Sequence, residues 1–188
     1  MLTVACIKAQ AAMVPGYIVT LNNDTIVVQI KVGGGFFFGI GAHNMNKKVE
    51  IVDSSGSATI FTPGDIKAYG YTHKSKDYIY RTKPVKDGSL YFLEPVVVGP
   101  KTSLYQYEIT SAGGQGVQGS TQEFYTFEKS DGTYLFMTNY AALDTFIDKL
   151  KAFYKDNPEV QQLIDTKFQA RRHIQRDIRS IIDAYNKV

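Results

Sequence analysis

Five residues within one short span have the types and spacing for recognition chemistry. Tyr69, Tyr71 and His73 alternate along one segment, and Tyr78 and Tyr80 alternate along the next. Successive side chains of a strand point to opposite faces, so in a hairpin these five share a surface. Rings with polar tips on one surface suit stacking on sugars or anchoring a protein partner. With Lys74–Asp77 as a four-residue loop, Tyr71 faces Tyr80 and His73 faces Tyr78. The plainer reading is a half-buried cross-strand ladder that stabilises the sheet. The one carboxylate placed for acid–base work is Glu94, on an otherwise apolar face of the stretch from Ser89 to Ile109. A bare buried charge is costly, so Glu94 must be hydrogen-bonded, protonated or let out at a bulge. Pro95 beside it removes a ladder donor and favours such a bulge. Catalysis is the sharper reading of Glu94, and a register-holding hydrogen bond the plainer one.

Other motifs carry less. Gly114-Gln115-Gly116-Val117-Gln118-Gly119 matches the dinucleotide pattern, but that pattern needs a helix next, to hold the pyrophosphate. Here Glu123-Phe124-Tyr125-Thr126-Phe127 follows and reads as strand, so the motif reads as a hairpin loop. Gly33-Gly34-Gly35 lacks the ending of a phosphate loop. His43, His73 and His173 stand far apart, with no second ligand at metal spacing, so neither a metal nor a cofactor is expected. No serine lies in a nucleophile elbow. Arg172, Arg176 and Arg179 line one helical face, with Asp183 one turn beyond; this reads as a solvated face with an ion pair.

The totals bound the partners. The 188 residues suit one domain, with a core that needs no disulfide. The net charge of +3 is too small to argue for nucleic acid or an anionic membrane. Thirteen Tyr and eleven Phe with no Trp favour sheet, where rings pack on a pleated surface. No apolar run reaches the roughly 20 residues that span a bilayer. Residues 1–12 read as the remnant of a secretion signal: Leu2-Thr3-Val4-Ala5-Cys6-Ile7 is apolar, and Ala9-Gln10-Ala11 fits small-x-small cleavage. The basic leading segment is missing, so the expectation is that the given start lies inside a longer signal. A lipid anchor at Cys6 is the alternative, although Thr3 stands where a leucine-like residue belongs.

The elements that must position these residues follow from period and turn chemistry. Ile26, Val28, Ile30 and Val32 alternate with Thr25, Val27, Gln29 and Lys31, giving a hairpin from Gly16 to Val32 over Asn22-Asn23-Asp24. Lys48–Asp53 pairs with Ala58–Thr62 around Ser54-Ser55-Gly56. Pro63-Gly64 suits a type II turn. Ile66–His73 pairs with Tyr78–Thr82. The central hairpin turns at Gly99–Thr102, and Gln122–Glu128 pairs with Thr133–Met137 across Ser130-Asp131-Gly132. From Asn139 the period changes to 3.6, with Leu143, Phe146, Ile147, Leu150 and Phe153 on one face. Asn157-Pro158 starts a second helical stretch, capped by Asp156 or Asn157 and interrupted between Thr166 and Arg171. Strands first and helices last predict an α+β fold. The expected form is an antiparallel β meander (13–138), rolled or folded into a sandwich, with the C-terminal helical region (139–188) packed on it as one domain.

Several phrases resemble a family of exported Bacteroidetes proteins with no assigned activity. They are Gly16-Tyr17-Ile18-Val19-Thr20 with Asp24-Thr25-Ile26, then Pro63-Gly64-Asp65-Ile66 with Tyr69-Gly70-Tyr71. Tyr91-Phe92-Leu93-Glu94, Ser103-Leu104-Tyr105 and Tyr185-Asn186 complete the set. The family has Gly where Asn23 stands, which can also adopt the left-handed conformation. The resemblance implies export, a β-rich body and no established catalytic site. The functional expectation is a non-enzymatic binding module of the envelope: periplasmic, outer-membrane-associated or secreted, with a protein or glycan partner. An enzyme with a site assembled from dispersed residues, or a structural accessory of an outer-membrane assembly, is the alternative.

Overall fold

The computed structural model describes residues 12–32, 45–111, 119–138, 143–168 and 174–187. Ten strands are followed by three helices, an α+β arrangement with antiparallel strand pairs. The sheet is not closed, since β4 and β10 are its two ends. Strands end at Thr138 and helices begin at Leu143. The contacts divide the chain into two compact units, Met1–Glu94 and Pro95–Val188. That division falls inside a strand, and each unit has its own core.

The first unit opens on the predicted hairpin, β1 (Ala12–Thr20) with β2 (Thr25–Val32). Asn23 makes its turn at φ 71°, the left-handed value expected of it. β3 (Val49–Val52) and β4 (Ala58–Phe61) continue the meander. The chain then returns to β1: β5 (Ile66–His73) pairs with β1 rather than with β4. β6 (Lys76–Pro84) and the start of β7 (Leu90–Val97) follow in order. Val14, Ile18, Val28, Ile30, Val32, Val49, Ile51 and Ile66 form the core on one face.

Two turns differ from expectation. Gly64 is not among the glycines with positive φ, so the Pro63-Gly64 turn is not type II. Asp65 captures it instead, its Oδ2 accepting from the Thr62 N–H and hydroxyl at 2.7 Å each. The β5–β6 turn has two residues, not four: Lys74 (φ 50°) and Ser75 (φ 60°) sit in the left-handed region. A two-residue turn of that kind matches the twist of its flanking strands, whereas a longer loop is not needed to close them.

The second unit holds β8 (Thr102–Ser111), β9 (Ser120–Lys129) and β10 (Tyr134–Thr138). Leu104, Phe127, Leu135, Tyr125 and Met137 form one face of these strands. The helices α1 (Leu143–Phe153), α2 (Pro158–Lys167) and α3 (Ile174–Lys187) pack there through Phe146, Leu150, Val160, Ile164, Ile178, Ile181 and Ile182. Asn157 caps α2, accepting from Val160 N–H at 3.0 Å, and Pro158 fills a first-turn position whose N–H would have no helical partner. The break between α2 and α3 falls where the apolar stripe is interrupted.

Candidate functional site

The tyrosine ladder exists, in a shifted register. Tyr69 faces Tyr80, Tyr71 faces Tyr78 and His73 faces Lys76. The expected Tyr71–Tyr80 and His73–Tyr78 pairs are wrong by two residues, because the turn is two residues shorter. The rings stack on one another: Tyr69 on Tyr80 at 4.8 Å between centroids and Tyr71 on Tyr78 at 4.9 Å. Phe92 meets Tyr69 edge-on at 4.9 Å. Tyr69 is 0% exposed, Tyr71 8% and Tyr80 7%; Tyr78 and His73 are half-buried. The polar tips are used inward. Tyr69 Oη donates to the Met45 carbonyl at 2.9 Å, Tyr71 reaches the Met45 sulfur, and the Tyr71 and Tyr80 hydroxyls share a hydrogen bond. Burial pushes all three buried tyrosines up from the usual phenol value.

Glu94 joins this cluster. It is half-buried in β7, and its charge adds to the upward shift of Tyr71 and Tyr80. The two sequence candidates, aromatic and acidic, are thus brought together within the first unit.

The other face of the same sheet holds a feature that the sequence reading missed. β1 and β5 approach closely through two glycines. On the core face, a Cβ on Gly16 would lie 2.6 Å from the Gly70 carbonyl and 2.7 Å from Ile30 Cδ1. A Cβ on Gly70 would lie 2.7 Å from each of Tyr17 Cε1, Cζ and Oη. The hydroxyl end of the Tyr17 ring therefore stands where a side chain at position 70 would be. Ile79, Gly70, Tyr17 and Val27 are in register across β6, β5, β1 and β2, and all are on the face opposite the core. Val27 is 83% exposed and Ile79 40%, with Tyr17 half-buried between them. Exposed large apolar groups in a row are more informative than scattered ones. The rows on both sides mix polar and apolar residues. Gln29, exposed Pro15 and the hydrogen-bonded pair Thr72–Asp77 (2.6 Å) lie along one, Thr25, Val19, Ala68 and Arg81 along the other. Leu93, in line with Arg81, is fully buried, so the open part of the face ends at β6. Only strand pairing across about 50 residues puts these positions together.

The second unit contains a charged cluster that no motif announced. Lys129 Nζ is 2.7 Å from Asp156 Oδ1 and lies 5.2, 5.7 and 5.1 Å from the ring centroids of Phe153, Tyr154 and Tyr185. Tyr185 Oη donates to Asp156 Oδ2 at 2.5 Å. The Lys129 bond, then the Tyr185 bond, hold the Asp156 carboxyl down at about 2. Burial works to lower Lys129, but its bonds to Asp156 and Tyr185 leave it raised. Next to it, Asn186 Oδ1 accepts from the N–H groups of Lys101 and Thr102 at 3.0 and 2.9 Å, and its Nδ2 donates to Thr102 O at 3.0 Å. Gly99 leaves the room, since a Cβ there would lie 2.1 Å from Asn186 Nδ2. This is a clasp pinning the end of α3 to the turn before β8.

The remaining candidates resolve simply. His43, the glycines of residues 33–35, most of the Gly114–Gly119 motif, Arg172 and His173 lie outside the described residues. The segment after Gly119 is strand β9, not a helix. Arg176 pairs with its neighbour Asp177 at 3.1 Å, while Arg179 and Asp183 are exposed. Among the described residues, no three His, Cys, Asp or Glu side chains group as a metal site, and no helix is long and apolar enough to cross a membrane. No protein-family model matches the chain, and comparison with curated proteins and with solved structures found no match either.

Proposed function

We propose that the chain is an exported, non-enzymatic binding module of the bacterial envelope, and that it meets its partner through the open face of the first unit. The observation that carries this reading is the row Ile79–Tyr17–Val27, apolar and solvent-facing on a sheet whose opposite face already has a full core. A monomer gains nothing by showing water a valine that is 83% exposed beside a ring and an isoleucine, whereas a surface that docks a partner does. Export is supported by the apolar run Leu2–Ile7 with its Ala9-Gln10-Ala11 cleavage pattern, and by the resemblance to exported Bacteroidetes proteins.

The test is site-specific photo-crosslinking in the native envelope. A crosslinker at position 27 is expected to trap discrete adducts that one at Ser55, on an exposed turn, does not. Equal labelling from both positions, or a chain isolated from the cytoplasm with Met1 retained, sinks the reading. A second reading, an enzyme, rests on Glu94 beside Tyr71 and Tyr80. It requires that Glu94→Gln abolish a turnover without altering the crosslinks from position 27.

A further inference from the structure

The structure assigns an occupant to the open face: we infer that it is a second copy of this chain, seated about a twofold axis that runs along the row Ile79–Gly70–Tyr17–Val27. The inference rests on the binding-module reading and names the partner at that face. Three observations select a second copy. The first is breadth. β1 gives this face Pro15, Tyr17 and Val19, β5 gives Ala68 and Gly70, β2 gives Val27 and β6 gives Ile79. Pro15, Val27 and Ile79 are exposed, while Tyr17, Val19 and Ala68 are half-buried. On the outer strands β2 and β6, polar residues flank the row: Gln29 and Asp77 on one side, Thr25 and Arg81 on the other. An apolar centre inside a polar rim is how a protein interface is built. A second sheet packs face to face on such a surface at about 10 Å, with its strands aligned.

The second observation is self-complementarity. A twofold axis along the row exchanges the two sides of the row between copies, so each contact occurs twice. Ile79, Tyr17 and Val27 then face themselves. Asp77 faces Arg81, Gln29 faces Thr25 and Pro15 faces Val19, by their places on either side of the row. Acid meets base, amide meets hydroxyl and apolar meets apolar. A foreign partner has no need for the two sides to complement each other in this way. The third observation is unspent charge. Arg81 is half-buried, yet its side chain makes no ion pair or hydrogen bond among the described residues. Asp77 Oδ1 accepts from the Thr72 hydroxyl at 2.6 Å, which leaves its second oxygen for a guanidinium. Four residues separate Asp77 from Arg81 along one strand, about 13 Å, too far to pair within a copy. Such charges fix register more than strength. The patch spans three inter-strand steps of about 4.8 Å, small for a permanent dimer, so the assembly is reversible.

The experiment is sedimentation equilibrium on the full chain from about 10 μM to about 1 mM, the range in which a weak dimer forms. The average mass of the parent is expected to rise from one chain towards two. Val27→Glu sets two carboxylates against each other and should weaken assembly about tenfold or more. Asp77→Arg and Arg81→Asp each put like charges opposite one another twice, and each should weaken it about tenfold. An equimolar mixture of these two single variants should regain the parent's assembly, because both contacts become acid–base pairs again. That rescue cannot come from a repaired fold, since each chain in the mixture keeps its own substitution. A parent that stays monomeric throughout overturns the inference. So does assembly that Val27→Glu leaves unchanged, or single variants that mixing does not rescue. If the parent is monomeric while position 27 still traps a different protein in the envelope, the second copy is wrong and the binding-module reading stands. If the parent is monomeric and position 27 traps nothing, both fall.

Discussion

The two faces of the first unit's sheet are built from the same strands and do opposite things. β5 shows this within three residues. Tyr69 and Tyr71 point inward and are buried in a stack, while Gly70 between them points outward and carries no side chain. The inner face saturates its aromatic groups: ring on ring, hydroxyl on Met45, Phe92 as a lid. The outer face gives Gly70 no side chain, sets the tip of Tyr17 against it, and has Val27 and Ile79 in solvent in the same row. The difference shows that composition alone does not mark a binding surface. Tyrosine is richer on the inner face, yet accessibility is found on the outer one.

The largest effect should come from emptying the inner face. Tyr69→Ala removes a fully buried ring together with its bond to Met45, so about 3–5 kcal/mol of stability should be lost. Urea unfolding measures it directly. A loss below about 1 kcal/mol would mean that the inner face is loosely packed, and the contrast with the outer face would disappear.

The glycine pair sharpens the comparison next. In Gly16→Ala the new methyl meets backbone, the Gly70 carbonyl, and β1 must move from β5; a cost of about 1–3 kcal/mol is expected. In Gly70→Ala the obstacle is the tip of the Tyr17 side chain, which can swing away, so the cost should be smaller. The two substitutions Gly70→Ala and Tyr17→Ala should then be non-additive, the second relieving the first. Additive costs in a double-mutant cycle would show that the ring does not rest on Gly70.

Alkaline titration sharpens it again. The folded pKa values of Tyr69, Tyr71 and Tyr80 are raised above the ordinary 10.0, chiefly by burial. Their contribution to stability is therefore complete below pH 10. It is lost as pH rises beyond that, because the unfolded chain ionises these phenols first. Tyrosinate absorbance and circular dichroism followed together should show the ladder ionising as the first unit unfolds. Smooth ionisation of all thirteen tyrosines with the fold intact would contradict the burial.

Much of this organisation could be read from residue patterns, and the failures have physical causes. The β1–β2 hairpin was legible because period-two alternation and an Asn-rich turn agree. The helices were legible because Leu143, Phe146, Leu150 and the Asn157-Pro158 start all agree as well. The β5–β6 register was not, since Lys74 and Ser75 take positive φ without the Gly or Asn that usually announces it. Pro63-Gly64 misled because a carboxylate three residues after Thr62 closes the turn from its side chain. The outer row was invisible for a different reason. It exists only because β5 returns to β1, and nothing local in either strand states that pairing.

The smallest expected effect is the most exacting for the comparison. Val27→Thr keeps a β-branched side chain of nearly the same shape and exchanges a methyl for a hydroxyl. On the inner face such a change buries a polar group that must find a partner, and it costs accordingly. At position 27 the hydroxyl meets water, so stability should change by no more than about 0.5 kcal/mol. Sedimentation of the parent and the variant at matched concentrations completes the test. If Val27→Thr costs more than about 1.5 kcal/mol, or if the parent self-associates and the variant does not, something covers Val27 in solution. The twofold contact makes that cover a second copy of the chain. The two faces would then no longer differ in kind: each would be a core face, one completed within the chain and the other between chains.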